Sequence, residues 1–279
     1  MSAAVTSSTA LPQSASGLGD TRLARFLRDS ADGSPRLALH AALMFAGFAV
    51  VFLLMQVDER MLAGANVWHK PAKFFFSVGT QFITIAWALS LVPVALRTLR
   101  SVRWAVNAMI IAGWGEMAYI VFRAARGEAS HFNQETLFAQ AAYALMGMGA
   151  LLMMLTAGWI GFVIWRNRGS DLWREAAGLG LMLSTVLVIP VAFYLGGHVG
   201  GHWVGGQPTD ANGLPVFLWS TTGGDLRIPH FAASHAMQAV PFAALSGRRS
   251  VVFLIALAMA LVTAALFAQA VMGIPLFRL

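Results

Sequence analysis

The chain has 279 residues, of which 58% are hydrophobic and 11% charged, with a formal net charge of +7 and no cysteine. A soluble domain carries about 25% charged residues, so this composition, with a mean hydropathy of +0.67, describes a chain built for a hydrocarbon solvent. Without cysteine there are no disulfides, thiolate zinc sites, iron–sulfur clusters or covalently attached c-type haem, which leaves His, carboxylate, Met or a porphyrin to hold any metal.

Residues 1–35, rich in Ser, Ala, Gly and Asp, read as a cytoplasmic tail that is disordered or lies on the membrane surface. Within it "TRLARFLRD" sets Leu23, Phe26 and Leu27 against Arg22, Arg25 and Arg28, the pattern of an interfacial helix. Residues 36–279 then form one transmembrane domain. Crossing a hydrocarbon core takes about 20 apolar residues. Seven runs qualify, near 37–56, 72–96, 104–123, 136–165, 176–198, 229–246 and 250–276, with six and eight as the neighbouring counts. The expected fold is therefore an all-α polytopic bundle of about seven transmembrane helices. The sixth run is short and carries Pro241, an expected kink.

Arginines decide orientation. The tail and the connections on its side hold Arg22, Arg25, Arg28, Arg36, Arg97, Arg100, Arg103, Arg166, Arg168, Arg174, Arg248 and Arg249, twelve of the 19 basic residues. That excess predicts a cytoplasmic N-terminus and an extracytoplasmic C-terminus in a bacterial inner membrane. The sequence pI of about 11.0 then reflects topology, and nothing in the pattern supports a nucleic-acid partner. The histidines show the opposite bias: His69, His131, His198, His202, His230 and His235 fall in or beside the outward connections, and only His40 lies toward the inner side.

Along the second span Lys73, Ser77, Gln81 and Thr84 recur at three- and four-residue spacing, a polar stripe that belongs against the bundle interior or a wet cavity. Lys70 and Lys73 also stand where side chains snorkel to headgroups. In the third span Glu116 lies about two turns from the outer end, a depth at which carboxylates are costly; Arg123, seven residues on, is its candidate partner. The next connection, "RGEASHFNQET", offers Asn133 as a helix cap, Glu135 in the first turn, and His131 as a third ligand, a proton carrier or a loop residue.

The fifth span ends in "GGHVGGHW". If the helix continues, His198 and His202 stand one turn apart and can chelate one metal. The long outer loop, 199–228, leads into "GGDLRIPHFAASHAMQ". Here Pro229 marks a helix start, His230 lies in its first turn, and His235 shares a face with Gln238. Asp225 and Arg227 read as loop groups able to pair with each other or with a ligand.

The run "WSTTGGDLRIPHFAASHAMQAVPF", together with "RGEASHFN" and "WHKPAKF", resembles a family of bacterial multi-span membrane proteins that share a GGDLR-x-x-HF-x-x-x-HA-x-Q-x-x-P pattern. The resemblance brings no activity with it. It implies that Asp225, Arg227, His230, His235 and Gln238 act as a unit. HExxH, GxSxG, P-loop and dinucleotide fingerprints are absent, as is any evident internal repeat.

Two functions compete on these residues. One is a membrane metalloprotein with His198, His202, His235 and His230 as ligands and iron favoured over zinc. In its redox form a haem or non-haem iron exchanges electrons with a quinone or a periplasmic partner, Arg227 pairs with propionates, and Glu116 handles protons. In its hydrolytic form Asp225 or Glu116 acts as base. The other is a proton-coupled transporter or channel that uses Glu116, Lys73 and Gln81 along a polar path.

Overall fold

The computed structural model describes residues 21–278. A twelve-residue helix, α1 (Arg22–Gly33), precedes α2 (Pro35–Leu54). A two-residue-per-strand hairpin, β1 (Met61–Leu62) and β2 (Ala65–Asn66), leads to α3 (His69–Ser90). Then follow the short α4 (Val94–Arg97), α5 (Arg100–Ala125), α6 (Leu137–Arg166) and α7 (Leu172–Gly197). The long loop contributes β3 (Trp203–Val204) and β4 (Gly224–Asp225), which pair antiparallel. The chain ends with α8 (Arg227–Phe242), a 3₁₀ turn over Ala243–Ser246, and α9 (Arg249–Val271).

Helix ends follow local chemistry. Ser34 caps α2 with its hydroxyl on the Leu37 N–H and Pro35 takes the first helical position, where no backbone donor is lost. Asp171 caps α7 through the N–H groups of Trp173 and Arg174. Asn133 does not cap α6 as expected. Thr136 does, accepting from Ala139 N, while Asn133 Oδ1 accepts from Glu135 N one turn earlier. Pro93 splits the second predicted run, so that α3 stops at Ser90 and α4 stands apart.

Among the described residues six helices are long and apolar enough to cross a membrane: α2, α3, α5, α6, α7 and α9. The chain is a multi-pass membrane protein of the all-α class. The sixth predicted run, now α8, has 16 residues and falls short of a full span by itself. Its ends nevertheless lie at opposite ends of the bundle. Arg227 joins the loop network described below, and the 3₁₀ turn leads to Arg249, which pairs with Glu175 at the start of α7.

The bundle thus has a loop end and a basic end. At the basic end Arg174 donates to the Leu91 carbonyl at 2.5 Å, and Arg97 to the Asp32 carbonyl at 2.5 Å, which ties α1 down. Of the expected tail, residues 1–20 lie outside the described residues; the rest is α1, with Phe26 against Trp87 and Leu23 and Leu27 exposed. In the bundle, α6 and α7 approach through Gly161 and Gly178. A β-carbon on either would sit within 3 Å of the other helix, so small residues bring the backbones together where lipid supplies no hydrophobic drive.

Candidate functional site

The polar residues of the loop end fall into two groups. The first is a closed ion network in the long loop. The Asp225 carboxylate is fully buried and accepts from Arg227 Nε at 2.9 Å, Arg227 Nη2 at 2.6 Å and the Ser220 N–H at 2.9 Å. Arg227 Nη2 also donates to Asp210 Oδ1 at 2.9 Å and to the Leu218 carbonyl at 2.5 Å. His202 Nε2 lies 3.4 Å from the same Asp210 oxygen, and its ring rests 3.8 Å from Trp203.

This network folds the loop over the bundle. The Ala63 carbonyl of the β1–β2 turn accepts from the Asp210 N–H at 2.9 Å and from the Thr209 hydroxyl at 3.2 Å. Arg60 fastens the hairpin to the end of α5 through the Ala125 carbonyl. Lys73 reaches up to the Phe217 carbonyl at 3.1 Å. Two cations therefore hold consecutive carbonyls of a segment in which Val216 and Leu218 take left-handed φ values of 70° and 56°, a conformation that is costly for a β-branched residue. Asp225 and Arg227, read from sequence as catalytic candidates, have their polar atoms committed to this lid.

Beneath it lies the second group. Glu116 is 6% exposed, and its Oε2 has no hydrogen-bond partner. The expected Glu116–Arg123 pair is not formed. Arg123 Nη1 pairs with Glu128 at 2.9 Å and its Nε donates to the Ala129 carbonyl, because the chain turns back at Gly127 and brings that acid to hand. The cation acting on Glu116 is instead Lys70 of α3. Lys70 packs on Phe74, 5.8 Å from the ring centre, and also acts on His131. The His131 ring sits 5.5 Å from Phe74 and 5.7 Å from Tyr143, and its Nδ1 is 3.1 Å from the Ser130 hydroxyl. One turn from Glu116, the Tyr119 hydroxyl is also buried without a partner.

On the side of α3 that faces α8, Gln238 donates to the Thr84 hydroxyl at 3.1 Å while its Oε1 stays buried and unbonded. Gln81 points to Met154 Sδ at 4.0 Å. Ser77, between them and Lys73 on the same stripe, is exposed. The predicted stripe is thus held at its top by Lys73–Phe217 and lower down by Thr84–Gln238, with Gln81 turned toward α6.

The histidines do not gather as one set. The α7 helix ends at Gly197, His198 adopts an extended conformation, and Gly200 and Gly201 take φ values of 101° and 80°. The one-turn geometry expected for His198 and His202 is therefore lost: His198 Nδ1 turns to the Gly201 carbonyl, and its side chain lines an open surface groove with Phe193, Tyr194, Gly197 and Val199. His235 stacks on Phe231 at 3.8 Å, with Nδ1 on the Phe231 carbonyl at 2.7 Å, next to the Phe217–Trp219 stack. Among the described residues no three His or carboxylate side chains come together in a way that could hold an ion. The unit implied by the "GGDLR…HAMQ" run is thus divided: Asp225 and Arg227 close the lid, and Gln238 reaches α3.

Sequence reasoning missed Asp210 and Tyr119. Asp210 gives no local signal, since an acid in a polar loop reads as solvated; Tyr119 could have been found as the residue three positions after Glu116 on one helix face. No family model, curated protein or solved structure matches the chain.

Burial lowers the affinity of His202 for a proton below its ordinary value near 6.5, a shift that Asp210 opposes and Arg227 reinforces. Burial, then Lys70, lowers that of His131 in the same sense. A histidine held neutral in the fold contributes stability above its unfolded pKa and loses it as pH falls below that value. Asp210 stays ionised well below this window, held down by His202 and Arg227 against its burial. Acidification from pH 8 to pH 5 is therefore expected to loosen the loop. Amide hydrogen exchange over 199–226, corrected for intrinsic rates and referenced to α6, should accelerate severalfold at pH 5 and less so in His202→Gln. Protection that stays flat across that range would show that neither histidine is coupled to closure.

Proposed function

We propose that the protein translocates protons, as a proton-coupled transporter or channel of a bacterial inner membrane. On this reading α8 and the following 3₁₀ turn complete a seventh crossing and the basic end faces the cytoplasm. The observation that carries the reading is Glu116, a carboxylate buried in an apolar bundle with one oxygen unbonded. A carboxylate kept at such depth is expensive, and what it gains there is the ability to take up and release a proton inside the bundle. Gly149 of α6 leaves room beside it, since a β-carbon there would make only an ordinary 3.8 Å contact with Oε1. The stripe of Lys73, Ser77 and Gln81 and the unbonded oxygen of Gln238 supply further polar groups along the depth of the bundle.

The test is reconstitution into liposomes with an entrapped pH dye and an imposed potassium diffusion potential. Wild-type protein should acidify the lumen well above protein-free liposomes. Glu116→Gln, which keeps size and hydrogen-bonding capacity, should reduce that flux at least tenfold without a change in thermal midpoint. Wild-type flux equal to that of protein-free liposomes, or full flux in the variant, rejects the reading.

A second reading is a metal or haem centre serving redox or hydrolytic chemistry, with iron ahead of zinc and a quinone or periplasmic protein as electron partner. Its support is the placement of His230 and His235 on the first half of α8. An absorption spectrum and elemental analysis of the purified protein decide it: a Soret band or stoichiometric metal, lost in His235→Ala, would favour it over proton translocation.

A further inference from the structure

The basic end carries a groove of about 540 Å³ between α5 and α6, lined by Arg100, Ser101, Trp104 and Trp159. It faces outward from the bundle, with Trp104 61% and Trp159 43% exposed. Depth follows from helix geometry. Arg100 opens α5, and Trp159 lies seven residues before the end of α6 at Arg166. At 1.5 Å per residue the groove therefore runs from the helix ends to about 10 Å into the bundle. Its polar residues stand at the level of lipid headgroups and its two indoles at the level of the glycerol backbone and upper acyl chains.

Charge makes the match more specific. The Arg100 guanidinium forms no hydrogen bond or ion pair with any described residue, whereas Arg97, three positions earlier, is spent on the Asp32 carbonyl and Arg174 on the Leu91 carbonyl. Arg103, one turn on, is exposed beside it. An unpaired guanidinium with an adjacent hydroxyl is suited to a phosphate, which it can bind by two parallel N–H···O contacts. Trp104 and Trp159 supply flat amphipathic walls of the kind that sit at membrane interfaces. A zwitterionic headgroup would bring its own cation to this arginine-rich rim; a headgroup of net negative charge would not.

We infer that this groove is a specific site for one anionic phospholipid of the leaflet that meets the basic end, its phosphate on Arg100 and Ser101 and its glycerol and acyl region on Trp104 and Trp159. The site is independent of Glu116 and of the proton reading.

The test is native mass spectrometry of delipidated protein titrated with phosphatidylglycerol or phosphatidylcholine. The first phosphatidylglycerol should bind at least fivefold more tightly than the first phosphatidylcholine. Arg100→Gln should remove most of that preference with the thermal midpoint unchanged, and Trp104→Ala should weaken both lipids alike. Millimolar inorganic phosphate should not displace the bound lipid, because it has nothing to place against the indoles. Equal affinity for the two lipids, a preference that survives Arg100→Gln, or displacement by phosphate would each overturn the assignment.

Discussion

Arg227→Ala is expected to destabilise the protein by about 3–5 kcal/mol, the cost of removing one partner of a buried ion pair and leaving the other charge behind. The charge left behind is Asp225, with no exposed surface and only the Ser220 and residue-227 N–H groups to bond it. Asp210 loses its cation at the same time, and the Leu218 carbonyl its donor. The damage should be local first: exchange protection over 199–226 falls before that of α5 or α6, because those helices do not depend on the pair. Arg227→Lys should recover only part of the loss, since one ammonium cannot reproduce the forked contact with Asp225 while also reaching Asp210. Thermal unfolding in detergent reads the magnitude. An Arg227→Ala protein of wild-type stability that lacked proton flux would move Arg227 from the lid into the transport path.

Gly224→Ala should destabilise by about 3 kcal/mol, the upper part of the range for overpacking. Gly224 lies in β4, paired with Val204, and its α-carbon is pressed against the end of α9. A β-carbon there would fall on the Ala270 carbonyl, which is backbone and cannot swing aside. Either β4 leaves β3 or α9 shifts, and the first route also pulls Asp225 away from Arg227. The two substitutions act on one assembly, so the double variant should cost less than the sum of the singles; additivity would show that the strand and the ion network are energetically separate.

What could be read in advance divides by range. The apolar runs gave helices at nearly the expected places, since backbone in hydrocarbon must satisfy its own hydrogen bonds and run length alone then marks a helix. Where a run contained a local interruption the outcome was less legible: Pro93 cut the second, and Gly200 and Gly201 ended the fifth before His202, which removed the His198–His202 pairing. The glycines around that pair were visible, but helix continuation was the assumption on which chelation rested. Asn133 was the expected cap of the fourth span, and the helix instead starts three residues later on Thr136.

Composition, run length and the placement of arginine determined by themselves that this is an all-α multi-pass chain with one strongly basic end, and that Glu116 and the Lys73–Thr84 stripe are costly polar groups inside it. Those are properties of single segments, decided by the transfer of each residue from water to hydrocarbon. Partner choice was decided only by tertiary structure. Arg123 went to Glu128 and not Glu116, and Asp210, from the middle of a 29-residue connection between α7 and α8, closed the lid on Arg227. Such pairings depend on which helices adjoin and how a long loop folds back. Those arrangements arise from close packing at glycines such as Gly161, Gly178 and Gly224, where the geometry of two backbones, and not the character of either segment, selects the neighbour.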